Sequence, residues 1–224
     1  MKRLLMSILI LTTGLHAQNL QIHYDFRQDE QPLLDRGYTT ATLEMFQPDR
    51  YGATFWFVDM DFDGPNSQMS LAYWEIARYL SLGESSRFSL TVQFNDGLAS
   101  YGGINQVWLG GVSYDLTVGN WNIPLDFLYR HVTGGEGPNL QLTAVWNRTV
   151  WHDRLQLAGY IDLYTQDPLV NRDSRNELAI QAEPQVWTKL SAEIWIGGEL
   201  EISRYFLPVE GWQLYPTLGL KWDF

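Results

Sequence analysis

From Trp212 to the last residue the chain alternates without a break. Trp212, Leu214, Pro216, Leu218, Leu220, Trp222 and Phe224 fall on one side, and Gln213, Tyr215, Thr217, Gly219, Lys221 and Asp223 on the other. Successive side chains of a strand point to opposite faces, so this stretch makes a strand with one wholly apolar face and one polar or small face. A soluble protein could bury that apolar face. Its ending in Trp222 and Phe224 fits lipid better, because membrane strands carry aromatic residues at the interface. The pattern predicts the closing strand of an outer-membrane β-barrel. The edge strand of a secreted β-sandwich is the soluble alternative.

The first residues set the compartment. Met1-Lys2-Arg3 is followed by an apolar run from Leu4 to Leu11 and by Leu15-His16-Ala17 before Gln18. A basic start, a short apolar core and a small residue at the break predict a Sec-type signal peptide over residues 1–17, too short to span a bilayer as a helix. Residues 18–224 are then one mature domain, with no linker, repeat or compositional shift. The chain carries a net charge of −11, and removing Lys2 and Arg3 makes it more negative still, which argues against nucleic acid as a partner. It has no cysteine, so neither a disulfide framework nor a thiolate metal site can form. After residue 17 there is no apolar run of about 18 residues. Ten Trp, twelve Tyr and ten Phe suit a barrel with aromatic belts.

The same period recurs along the chain. Leu20, Ile22, Tyr24 and Phe26 oppose Gln21, His23, Asp25 and Arg27. Further strands are expected near 38–46, 53–62, 69–80 and 88–95, then 104–116, 121–132, 140–149 and 155–164. Strands at 176–187, 190–203 and 212–224 complete an all-β, antiparallel transmembrane barrel of about twelve strands. The longer polar connections, 28–37, 96–103 and 165–174, are the first, fifth and ninth; tight turns near Gln47, Val118, His152 and Thr188 fall at even positions. External loops of such barrels are long and periplasmic turns short, which predicts periplasmic termini.

If the apolar sides face lipid, the opposite sides line a lumen, because a charge on the lipid face costs roughly 2–4 kcal/mol near the midplane. The inward side then holds the carboxylates Glu44, Glu75, Asp115, Asp126, Asp162, Glu183 and Glu199, the cations Arg130 and Lys221, and the aromatics Phe46, Tyr73 and Tyr160. Glu193, Glu201, Gln181 and Trp195 share that side. These are the candidate solute-binding residues of a narrow channel or the filling of a blocked one.

Several segments resemble the nucleoside-specific channel-forming porins, the Tsx-like family: QVWLGGVSYDLT at 106–117 followed by IPLDFLY at 123–129, YWEIAR at 73–78, and FWFVD at 55–59. The resemblance implies a monomeric twelve-strand barrel that conducts nucleosides, with shortened external loops. A base stacked on an aromatic gains about 1–3 kcal/mol, and ribose hydroxyls can donate to carboxylates. The C-terminal aromatic with apolar residues at every second position resembles the signal read by the barrel-assembly machinery, with Phe224 as its end.

Other constellations are weaker. Asp59, Asp61, Asp63 and Gly64 match the start of a calcium loop, but Ser70 stands where the bidentate Glu is needed and strands flank the segment. An acyl-hydrolase reading fails because His23, His131 and His152 are isolated and no Gly-x-Ser-x-Gly elbow exists. The sequence therefore predicts a passive outer-membrane channel for small hydrophilic solutes, nucleosides leading, that needs no cofactor and catalyses nothing. A closed structural or partner-binding barrel is the alternative, and a soluble secreted β protein the third reading.

Overall fold

The computed structural model describes residues 17–27, 37–83, 85–100, 102–167 and 177–224. All of the expected signal peptide but Ala17, and most of two expected loops, 28–37 and 165–174, lie outside them. Alternation makes most of the described residues strand: β1 (Ala17–Asp25), β2 (Tyr38–Asp49), β3 (Gly52–Phe62), β4 (Leu71–Ser81), β5 (Phe88–Ala99), β6 (Gly102–Val118) and β7 (Trp121–Val132). It continues with β8 (Asn139–Val150), β9 (Leu155–Gln166), β10 (Glu177–Ala182), β11 (Gln185–Lys189), β12 (Ile194–Arg204) and β13 (Trp212–Asp223).

Consecutive strands other than β10 and β11 pair antiparallel, and β1 pairs with β13, so the sheet closes on itself and leaves no edge. Both β10 and β11 lie between β9 and β12. They are halves of one wall strand interrupted at Glu183-Pro184, where proline has no N–H to give the ladder. The wall therefore has twelve strands. Gly159 on β9 lies opposite the interruption with φ +143°, a conformation in which a Cβ would run into the Glu183 carbonyl.

Burial identifies the faces. On β1 His23 is 1% exposed and its neighbour Ile22 50%; Leu214, Leu218 and Leu220 on β13 and Phe88, Leu90 and Val92 on β5 are likewise exposed. The apolar face points outward and the polar face inward, and no described helix is long and apolar enough to cross a membrane.

The boundaries differ from the sequence reading in three places. The connection expected at 96–103 is mostly strand: β5 runs to Ala99, β6 resumes at Gly102, and a register shift between Asn95 and Gly97 takes up the irregularity. The Asp96-Gly97 pair looks like a turn, but here the Asp96 carboxylate accepts the Gly97 N–H at 2.7 Å inside a bulged ladder. The fifth connection is therefore short, and the alternation of long and short connections is weaker than expected. The fourth strand starts at Leu71 and not at Met69, since the Ser70 N–H is tied to the Asp61 carbonyl. The turn placed near Thr188 spans 190–193, and β12 begins at Ile194, because the Leu190 and Ser191 N–H groups both bond the Ile194 carbonyl.

Candidate functional site

Register fixes which side chains share the interior, since paired residues project to the same face. Asn19 pairs with Glu44, which pairs with Phe57 and then with Glu75 and Asn95. Arg130 pairs with Leu109 and Asn139, Asp126 with Ser113 and Thr143, and Asp162 with Thr143. Lys221 stands between Gln21 and Trp195, and Glu199 opposite Gln185. Ten of the twelve expected lining residues are thereby brought inside: Glu44, Tyr73, Glu75, Asp126, Arg130, Tyr160, Asp162, Glu183, Glu199 and Lys221.

Two are not enclosed. Phe46 faces inward by register but is 44% exposed, and Asp115 is also exposed. Both sit at the end of the wall that carries the chain termini, beyond the last ring of packed side chains. Glu193 lies in the 190–193 turn and lines nothing.

The interior carboxylates are held by short-range donors. Glu75 accepts from the Tyr73 hydroxyl at 2.5 Å and from Asn95 Nδ2 at 2.7 Å. Tyr160 donates to Glu183 at 2.8 Å, Gln185 to Glu199 at 3.0 Å and Asn19 to Glu44 at 2.8 Å. Thr143 donates to Asp162. Asp126, 2% exposed, accepts from Tyr79 and from Gln93 Nε2, both at 2.9 Å. Asp126→Ala strands the Tyr79 hydroxyl in the interior, while Gln93 Nε2 keeps Thr91 Oγ1 at 3.3 Å, and a stranded group costs about 1–3 kcal/mol; urea titration of the folded barrel should show a loss in that range.

The calcium-like aspartates are spent differently. Asp59 accepts from Thr42 at 2.6 Å, Asp61 from Tyr38 at 3.5 Å, and Ser70 donates to Asp63. Strand alternation sends Asp59 and Asp61 inward, whereas Asp63 lies past the end of β3. Among the described residues no group of three acidic, His or Cys side chains is placed to hold a metal.

The interior cations each lie against aromatic rings. Arg130 lies over Tyr164 at 4.6 Å, within electrostatic reach of Asp162 and Glu75, and its Nη1 has no hydrogen-bond partner. Beyond β1, Arg27 forks onto Asp25 at 3.0 and 2.6 Å and lies over the rings of Tyr38 (4.9 Å) and Tyr215 (4.4 Å). Burial acts against the Arg27 charge, but the hydrogen bond and charge of Asp25 outweigh it, so its pKa is raised. Near the termini end, Lys221 Nζ lies 5.0 Å from the Trp187 ring centroid and 5.2 Å from that of Trp195, and donates to Gln156. His23 approaches Trp187 edge-on at 5.4 Å. Its Nε2 donates to Gln21 at 3.1 Å, which leaves Nδ1 to accept from Thr217 at 2.8 Å. Trp187, His23, Tyr215 and Arg27 were not among the expected site residues. Outward Leu178, Ile180 and Val186 would have placed Trp187 inside by parity.

A family model described as a domain of unknown function, DUF5020, matches residues 17–224. The chain belongs to that family. A search of curated protein sequences returns no match. Among solved structures, the NanC porin superposes with a TM-score of 0.59 at 10% identity, covering 93% of this chain and 100% of that one. The KdgM porin gives 0.50 at 11% identity, covering 92% and 99%. At such identities the likeness is one of fold, and it is a likeness to porins over the full wall. With the apolar outer face, this DUF5020 member is a closed twelve-strand β-barrel of the bacterial outer membrane.

Proposed function

We propose that this DUF5020 barrel is a passive channel for small hydrophilic solutes, with nucleosides the leading solute class. The observation that carries the reading is the interior itself: a closed porin-like wall whose inner face sets carboxylates beside aromatic rings, as in Tyr73 with Glu75 and Tyr160 with Glu183. Such pairs offer a ring face to a base and acceptors to ribose hydroxyls. Both termini lie in the periplasm in this reading, after removal of residues 1–17, and the strand ending at Phe224 presents the signal for barrel assembly.

The test is single-channel conductance of the refolded protein in a planar bilayer, titrated with adenosine and thymidine and with glucose as control. Nucleosides should block in a concentration-dependent way that glucose does not reproduce. Glu75→Gln should weaken that block about fivefold, the loss of roughly one hydrogen bond of about 1 kcal/mol. Equal block by glucose would remove nucleosides from the proposal and leave a general channel.

One observation favours a second reading, a closed structural or partner-binding barrel. His23, Trp187, Trp195, Lys221 and Gln21 are all buried on the inside near the termini end, so this layer admits little water. A folded barrel that passes no current would decide for the closed form.

A further inference from the structure

The layer around Lys221 has the chemistry of a binding site already filled by a side chain of the wall. Lys221 is 4% exposed, and its ammonium faces the rings of Trp187 and Trp195 at comparable distances. A cation over indole faces is attracted by the ring quadrupole, most strongly when water is excluded. The walls of this cage do not depend on Lys221. Trp187, 0% exposed, is anchored by its Nε1 donating to Gln185 at 3.1 Å, and Trp195 by its Nε1 donating to Asp223 at 2.7 Å. The His23 ring closes the side of Trp187 and is itself fixed by Gln21 and Thr217. Gly219 makes room for it, since a Cβ there would stand 3.0 Å from the imidazole. Gln156 supplies an acceptor for an N–H, and the charges of Asp223 and Glu44 act on the cation in the cage.

We propose that the Trp187–Trp195 cage is a binding site for solutes carrying a primary ammonium group, with the Lys221 ammonium occupying it as a tethered competitor. The proposal rests on the channel reading, because the cage lies on the inside and a solute reaches it through the barrel. The Gln156 acceptor selects a primary ammonium over a quaternary one, which has no N–H to donate. The route from the opposite mouth passes more carboxylates than cations: Asp59, Glu75, Asp162 and Glu183 against Arg130, with Asp25 paired to Arg27. A tethered cation competes at an effective concentration in the millimolar range. The apparent affinity of a free ammonium is reduced by the fraction of cages left vacant.

Lys189 Nζ also stands 4.9 Å from the Trp195 centroid, so removing the Lys221 ammonium should unmask the Trp187 side of the site. The experiment is isothermal titration calorimetry of the refolded barrel in detergent with n-butylammonium chloride, and with n-butanol and tetramethylammonium as controls, beside conductance of the same preparations. Lys221→Ala should bind n-butylammonium about tenfold or more tightly than the wild type, with neither control gaining. Adding Trp187→Leu should abolish the gain. If Lys221→Ala fails to show heat-modifiable migration, Lys221→Gln takes its place, since it removes the charge and keeps a polar side chain beside Gln156. Equal affinity of wild type and variant for n-butylammonium overturns the proposal, and so does a gain that survives Trp187→Leu. Tighter binding in a barrel that passes no current keeps the cage and removes the channel, whereas current without tighter binding keeps the channel and removes the cage.

Discussion

Leu218→Arg is expected to lower the stability of the folded barrel by about 2–4 kcal/mol, the cost of a cation on the lipid face near the midplane. Leu218 sits midway along β13, is 54% exposed on the outer face, and stands opposite Tyr24 of β1. With β10 and β11 counted as one wall strand, that seam is, among the described residues, the one wall contact not made by strands adjacent in sequence, so it is formed by closure alone. No hairpin holds β1 and β13 together while the substituted side chain seeks water. Leu218→Ala keeps the outer face apolar and should cost far less. The measurement is a urea titration of the heat-modifiable gel band in lipid vesicles. Near-equal loss for the two variants would mean that the outer face does not meet lipid, and the barrel would have to be reconsidered as a soluble one.

The same outer face explains why so much of this fold is legible in the sequence. Lipid outside and polar groups inside demand strict alternation over a whole strand, and β1, β12 and β13 state their faces residue by residue. Where the backbone departs from the regular ladder the sequence misleads. Asp96-Gly97 carries the chemistry of a turn, yet neighbouring strands and the Asp96 side chain satisfy its backbone as a bulge. Likewise Glu183-Pro184 marks an interruption that closure bridges with β9 and β12. The inside of the barrel was readable as a list of faces but not as contacts. Parity puts Lys221, Trp187 and His23 inside, whereas their meeting depends on strands far apart in sequence and on the absent Cβ of Gly219. Sequence spacing within one strand contains none of that.

The wild-type barrel, held in a tenfold KCl gradient, should show a reversal potential displaced toward the cation limit, which is about 59 mV for a tenfold ratio and a single charge. The reason is the balance of the inner wall. Asp59, Glu75, Asp162, Glu183, Glu199 and Glu201 face inward against Arg130, Lys189 and Lys221, and a like-signed cleft with low-dielectric walls concentrates its counter-ion. The displacement should shrink between 0.1 M and 1 M salt, as the screening length falls from about 10 Å to about 3 Å. Two substitutions separate a wall that ions meet from one that merely packs. Asp162→Asn removes a carboxylate and should move the reversal potential toward zero, whereas Arg130→Gln removes the cation beside it and should move it further toward the cation limit. A structural perturbation alone would shift both variants the same way. Opposite shifts from two neighbours that share one interior require that permeating ions pass between them.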